Sequence, residues 1–318
     1  MYKGIAIRYK NTISGCGVLC YKIFRLILLL GISYIMINPI LRQLSYAMAT
    51  AEDITANDFV WIPKTQTFAN FINMKHLMDV SKQFLTTIKI CVISTILQII
   101  SCSLIGYGLA RYKFKGNFIV FLWVVMTIIM PVQANVIPLF LDYRFFDFFG
   151  IGTLIGKITG TALTANLLDT HWVYFLPAIF GVGLNAGLFI FIFRQFFMNM
   201  PKELEEAARI DGCGPLKTYV KVIVPNAVPI FVTVGLLSTV FYWNDKSIAD
   251  VLLTTYEKKS MTAAAYNVQI PQNTSGITAH YVASLAALLL TIHAPLMLVF
   301  ILGQKFFVES MDRSGIKG

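Results

Sequence analysis

Six long apolar stretches limit what this chain can fold into more than any other feature of its sequence. A helix needs about 20 mainly apolar residues to cross about 30 Å of hydrocarbon. The stretches that meet this length are 23–41, 84–109, 117–141, 173–197, 222–242 and 281–302. Only 13% of the 318 residues are charged and 57% are hydrophobic, too few polar groups to cover a water-soluble protein. The sequence predicts an all-α polytopic membrane protein with six transmembrane helices, and it excludes soluble enzymes and nucleic-acid-binding proteins.

Basic residues divide unevenly between the connections of these spans. The N-terminal end, the loops 110–116 and 194–221 and the C-terminal end carry 16 Lys and Arg, against nine in 42–83, 142–172 and 243–280. Cytoplasmic segments are enriched in Lys and Arg, so we expect both termini in the cytoplasm. The expected organisation is a cytoplasmic N-terminal segment (1–22), a six-helix transmembrane domain (23–302) and a cytoplasmic tail (303–318).

Asn185 is the first candidate for a residue that lines a translocation pathway. It lies in the middle of the fourth span, in a glycine-rich run where Gly183 and Gly187 form a GxxxG pair. Such a pair lets another helix approach closely. An amide at this depth must face a helix or a wet path, because lipid offers no hydrogen-bond partner. Both interpretations of Asn185 stay open.

Two further amides lie in the third span. Gln133 and Asn135 follow Pro131, and Pro138 comes one helical turn later. Each proline removes a backbone donor, so we expect this span to be kinked. Kinked helices with amides line transport routes, but they also occur as plain packing features.

No pattern in the sequence supplies a catalytic centre or an energy source. The stretch 152–158 is similar to a Walker A motif, but its spacing is wrong and Ile158 stands where Ser or Thr would bind Mg²⁺. The five cysteines are scattered and form no CxxC pair. We therefore expect a protein that is not an enzyme, with no catalytic residue, no metal site and no cofactor of its own.

The loop between spans four and five (198–221) contains a short helix with clear end signals. Asn199 is suited to cap its start and Pro201 to its first turn. Glu205 and Arg209 are expected to pair across one turn. Gly212 is expected to end the helix in the left-handed conformation. These local features alone are also typical of a solvated connector.

The spacing within this loop resembles the EAA loop of bacterial ATP-binding-cassette importers. Glu206-Ala207-Ala208 is followed by three residues, Gly212, nine residues and Val222-Ile223-Val224-Pro225, where the family motif has Ile-x-Leu-Pro. The run EEAARIDGCGPLKTYVKVIVPNAVP is similar to the inner-membrane permease subunit of carbohydrate importers of the maltose type. Similar stretches are the basic turn 106–116, Trp243-Asn244-Asp245 and the tail 314–318. The resemblance covers most of residues 84–318.

The resemblance implies a permease that forms half of a pathway for sugars or oligosaccharides in the bacterial inner membrane. The implied partners are a second permease subunit, a cytoplasmic ATPase dimer that binds ATP and Mg²⁺, and an extracellular solute-binding protein. Residues implied in coupling to the ATPase are Glu206, Ala207, Ala208, Gly212 and Pro225, the last by setting the bend into span five. The outer connection 142–172 is expected to be longer than in compact members of the family, and its role stays open.

Two alternative functions stay open. The first is a permease of the same kind of importer for a non-sugar solute, such as amino acids, peptides or phosphonates. The second is an ion-driven secondary transporter, which is disfavoured because no Asp or Glu lies at the middle of a predicted span and no paired repeats are evident. A membrane-embedded enzyme is disfavoured by the missing catalytic constellation.

Overall fold

The computed structural model describes residues 2–56, 61–160, 164–269, 271 and 275–314. Apart from two isolated β-bridges, the regular structure of these residues is helical. In chain order the helices are α1 (Tyr2–Met48), α2 (Ala51–Thr55), α3 (Ala69–Asn73), α4 (Val80–Arg111), α5 (Asn117–Ile129), α6 (Val132–Arg144), α7 (Ile151–Thr159), α8 (Trp172–Ile179), α9 (Ala186–Asn199), α10 (Glu203–Ile210), α11 (Pro215–Thr218), α12 (Val224–Asn226), α13 (Val228–Asn244), α14 (Ser247–Leu252), α15 (Met261–Tyr266) and α16 (Ser275–Ser314). A π-helical turn, Tyr219–Ile223, joins α11 to α12.

The first of two compact units consists of Met1–Leu77 and Ile270–Leu290. Its main element is α1, whose large apolar side chains are mostly exposed. The side chain of Asn70 supplies hydrogen-bond donors at the C-terminal end of this helix. Its buried amide donates to the carbonyls of Ala47 and Ala49, at 3.0 and 2.8 Å. The last carbonyls of a helix have no partner within the helix, so this amide replaces the water that they would otherwise need.

The second unit consists of Met78–Gln269 and Thr291–Gly318, and α4 is its central element. This helix packs against α8, α9 and α13. At Gly106 it approaches α9 so closely that an added Cβ would lie 2.7 Å from the Cβ of Phe193. A row of buried polar side chains follows α4 through this packing: Thr87, Ser94, Gln98 and Ser101. The buried face of this central helix is therefore polar over much of its length.

Three of the six predicted spans are continuous helices in the structure. The segments Gly17–Met48, Val80–Arg111 and Ile277–Lys305 are each long and apolar enough to cross a membrane, and they contain the predicted first, second and sixth spans. With helical structure throughout, they confirm an all-α polytopic membrane protein. The total of six spans stays a prediction, because the other three stretches are interrupted.

The third and fifth stretches are bent. The third breaks between α5 and α6, where Asn117–Ile129 and Ala134–Arg144 differ in direction by 107°. The predicted kink is thus confirmed at Pro131, whereas Pro138 lies within α6. The fifth stretch bends by 82° between Pro215–Asn226 and Val228–Asn244.

The prediction of a continuous fourth span is wrong. Its helix stops at Ile179, the end of α8, and resumes at Ala186, the start of α9. Gly181 and Asn185 adopt φ of +69° and +54° within the gap. Left-handed residues cannot continue a right-handed helix, so the apolar run 173–197 forms two helices.

Asp169 joins the connections 142–172 and 243–280. Its carboxylate accepts hydrogen bonds from the backbone N–H of Thr255 at 2.8 Å and from Lys258 Nζ at 2.8 Å. Burial opposes ionisation of Asp169, but the bonds from Lys258 and Thr255 outweigh it and hold its pKa below the usual value. Part of the long connection 142–172 thus serves to hold the neighbouring connection in place.

Candidate functional site

The loop helix α10 ends as its sequence predicts. Gly212 has φ of +74°. The N–H of Cys213 donates to the carbonyl of Ala208 at 2.9 Å, and the N–H of Gly212 donates to that of Arg209 at 3.0 Å. These two bonds form a Schellman motif, which satisfies the last carbonyls of the helix. Glycine suits this position because a side chain is disfavoured at positive φ.

The start of α10 differs from the prediction. Asn199 is the last residue of α9, and the residue that precedes α10 is Lys202, which makes no side-chain capping bond. Glu205 pairs with Arg111 of α4, Nε to Oε1 at 2.9 Å, and not with the expected Arg209. The reason is orientation: Glu205 is buried on the inner face of α10, and Arg209 is exposed.

The predicted coupling residues divide between the two faces of α10. Glu206 and Ala207 are exposed, whereas Ala208 is 4% exposed and packs inward. Two large apolar side chains accompany the exposed face, Ile210 at 87% and Leu216 at 69% exposure. The exposed face of α10 and the short helix α11 after it thus present charged and apolar side chains together.

Pro225 lies in α12, at the bend that leads into α13. The bend follows the π-helical turn Tyr219–Ile223 and is completed at Ala227, which has φ of −108° and ψ of 11°. Proline suits the first turn of a helix but cannot continue one from the preceding turn. The bend thus lies at Ala227, two residues after Pro225, and that Pro225 sets it stays a prediction.

The gap between α8 and α9 is held by side chains of other helices. Gln98 Nε2 donates to the carbonyl of Leu184 at 2.6 Å, and Ser101 Oγ donates to that of Ala178 at 2.6 Å. The Tyr242 hydroxyl donates to Gln98 Oε1 in turn. Backbone without helical hydrogen bonds is tolerated at membrane depth where protein groups replace them, and α4 and α13 supply such groups here.

Both glycines of the predicted GxxxG pair lie at close approaches. A Cβ at Gly183 would lie 2.6 Å from the Tyr242 hydroxyl, and one at Gly187 would overlap Thr127 of α5. Gly183 belongs to the gap and not to a helix, so the pair does not form one helix-packing face. Gly183 instead leaves room for the Tyr242 hydroxyl, and Gly187 leaves room for Thr127.

A cavity of about 470 Å³ lies between the gap, α5, α6 and α13. Asn185 and Asn135, both half-buried, line it. Aromatic residues in the lining include Trp123, Tyr143 and Tyr174. The side chain of Gln133 lies outside the described residues. The structure thus brings together two of the three amides predicted from the sequence.

Residues 102–313 match the family model described as the binding-protein-dependent transport system inner membrane component. The chain belongs to this family. The matched range contains α10, the gap, Pro225 and the bend into α13, so the family shares the region where both groups of candidate residues lie. The permease is a component of a transport system and not an enzyme.

Curated relatives agree with this assignment. The permease is 30% identical over 261 residues to the melibiose/raffinose/stachyose import permease protein MelC of Bacillus subtilis, covering 81% of this chain and 84% of MelC. It is 26% identical over 293 residues to the arabinooligosaccharides transport system permease protein AraQ of Halalkalibacterium halodurans, covering 90% of this chain and 93% of AraQ. These relatives confirm the resemblance to permeases of carbohydrate importers.

A solved structure shares the fold. The crystal structure of a bacterial ABC transporter involved in the import of the acidic polysaccharide alginate contains a chain that matches the permease with a TM-score of 0.70. The match covers 90% of this chain and 96% of the other, at 20% sequence identity. The likeness therefore shows a common fold over nearly the whole permease.

We predict that Gly212→Val loosens the end of α10. A β-branched residue at positive φ costs about 1–3 kcal/mol, which raises the open population of the loop about five- to 150-fold. Trypsin should therefore cleave after Arg209 and Lys217 correspondingly faster, as measured by mass spectrometry of the purified protein. Gly214→Val is the matched control, because Gly214 has φ of −70° and no atom within 4 Å of an added Cβ. Equal cleavage of the two variants would contradict the prediction.

Proposed function

We propose that this permease forms half of the translocation pathway of an ATP-driven importer for sugars or oligosaccharides. The observation that carries the proposal is the form of α10, with Glu205 fixed inward against α4 and Glu206, Ala207 and Ile210 open to a partner. Such a helix can be displaced by a protein bound to its exposed face while its buried face stays attached to α4. Membership of a transport-component family supports the same function.

Sugars are the proposed substrate class. The relatives MelC and AraQ are named for melibiose, raffinose, stachyose and arabinooligosaccharides. The cavity offers the ring of Trp123 and the amides of Asn135 and Asn185. Aromatic rings pack against apolar faces and amides bond hydroxyl groups, and a sugar presents both. The chemistry of the lining therefore supports a neutral polyhydroxylated solute over an amino acid or a phosphonate.

The proposed partners supply what this chain lacks. They are a second permease subunit, a cytoplasmic ATPase dimer that binds ATP and Mg²⁺, and an extracellular solute-binding protein. Coupling residues at the ATPase would be Glu206, Ala207 and Gly212, with Ala208 supporting α10 from inside. The exposed apolar side chains of α5, such as Phe118 and Ile129, leave surface for lipid or for the second permease.

The proposed orientation places both termini and α10 in the cytoplasm, on the basis of 16 against nine basic residues. Thr65 and Lys115 are exposed and lie on opposite sides in this arrangement. Single cysteines at these positions, in a cysteine-free background, should differ in intact cells: an impermeant thiol reagent labels position 65 and not 115. Labelling of position 115 alone would reverse the orientation.

Co-purification tests the assembly. The tagged permease, expressed with its neighbouring genes and extracted in mild detergent, should bring down an ATPase and a second permease. Reconstituted vesicles should then take up sugar only with ATP and a solute-binding protein. Purification without any ATPase, or uptake driven by an ion gradient alone, would contradict the proposed function.

We predict that Asn185→Gly lowers sugar uptake and leaves assembly intact. Glycine keeps the left-handed backbone but removes the amide, so the variant isolates the contribution of the side chain. If the amide of Asn185 makes one hydrogen bond to the sugar, its loss costs about 0.6–2 kcal/mol and lowers uptake about three- to thirtyfold. Asn185→Leu adds backbone strain and should also destabilise the protein, which a thermal melt would detect. Normal uptake by Asn185→Gly would remove Asn185 from the pathway.

A further inference from the structure

One face of the last two turns of α4 contacts both ends of the loop that contains α10. Ser103, Tyr107 and Arg111 lie four residues apart, which places them on the same side of a helix. Arg111 pairs with Glu205 in the first turn of α10. The Tyr219 hydroxyl, in the π-helical turn beyond α10, donates to Ser103 Oγ at 2.7 Å.

The Arg111–Glu205 pair is shielded from solvent. The side chains are 6% and 9% exposed. Arg111 Nη2 also donates to the carbonyl of Met200 at 2.8 Å, so this one guanidinium joins α4 to the end of α9 and to α10. By contrast, Lys82 and Glu257 pair at the other end of α4 with side chains 50% and 62% exposed. Exposed pairs contribute little, whereas removal of one partner from a buried pair leaves an uncompensated charge.

Aromatic packing makes this attachment rigid. The ring of Tyr107 meets Phe197 of α9 at 5.6 Å between centroids and Tyr219 at 5.0 Å. Rings from α4, α9 and the π-helical turn therefore pack together about one helical turn before Arg111.

The same helix also contacts the gap between α8 and α9, whose residues line the cavity. Gln98 and Ser101 hold the backbone of the gap at Leu184 and Ala178. Gln98 lies 13 residues before Arg111, about 20 Å along a helix, and α4 contains no proline between them. One continuous helix thus links the loop that contains α10 to the gap that carries Asn185.

We propose that Arg111 and Glu205 are positioning residues that transmit displacement of α10 through α4 to the gap beside the cavity. The inference rests on the proposed function, because it takes α10 as the helix moved by an ATPase. It adds the internal attachment: the outer face of α10 receives the force, and the buried ion pair on its inner face passes it to α4. Without the pair, α10 still binds its partner but no longer carries α4 with it.

The test is the amount of sugar transported per ATP hydrolysed by the complete complex in vesicles. Arg111→Gln and Glu205→Gln should each assemble and hydrolyse ATP, yet transport about tenfold less sugar per ATP, within the five- to 150-fold range of typical couplings. The double variant should lose no more than either single one, because both changes remove the same link. Lys82→Gln, which removes a charge from the exposed end of α4, is the matched control and should match the wild type.

The outcomes separate the possible roles. Unchanged transport per ATP in both variants overturns the proposal. So does uptake that falls only in proportion to assembled complex, since a purely structural role alters amount and not coupling. If Arg111→Gln does not assemble, Glu205→Gln alone decides, because it preserves side-chain volume. A wild-type complex that shows no ATP-driven uptake refutes the proposed function, whatever the variants do.

Discussion

Backbone polar groups at membrane depth need hydrogen-bond partners within the protein, and the gap between α8 and α9 makes this requirement acute. Gln98 and Ser101 meet it for Leu184 and Ala178. This explains why the central helix carries the buried polar side chains of Gln98 and Ser101. The gap can exist because α4 is polar along one side, and the cavity exists because the gap interrupts the packing of helices against each other.

The attachment of α10 follows a different energetic rule. Burial of Arg111 and Glu205 costs hydration of both charges, which their attraction and the added bond to Met200 offset. Hydrophobic residues could fill the same space with similar stability, so stability alone does not account for charges here. The ion pair also fixes relative positions, because the guanidinium of Arg111 joins α4, the end of α9 and α10. The 82° bend after Asn226 lies between this junction and α13.

Several features of the candidate site could be predicted from the sequence because they depend on local chemistry. Gly212 ends α10 at positive φ, and Pro131 and Pro225 lie at bends. The cap predicted at Asn199 failed locally, whereas the other failed predictions depended on contacts with distant parts of the chain. Glu205 pairs with a residue 94 positions away and not with Arg209, and span four is broken although its composition is continuous. The polar row in span two and the basic turn after it were the available signals for Gln98, Ser101 and Arg111.

By itself, the sequence determined the all-α membrane class, the long apolar helices, the loop helix and its glycine stop. These depend on hydrophobic length and on backbone preferences, which act within a few residues of each other. Only the tertiary structure decided which face of α10 is buried, where span four breaks and that Asn135 and Asn185 line one cavity. Those outcomes depend on which side chains of α4, α5 and α13 fill the space around them. Hydropathy does not encode such packing. The same apolar run can face lipid as one continuous helix or pack beside polar side chains as two helices.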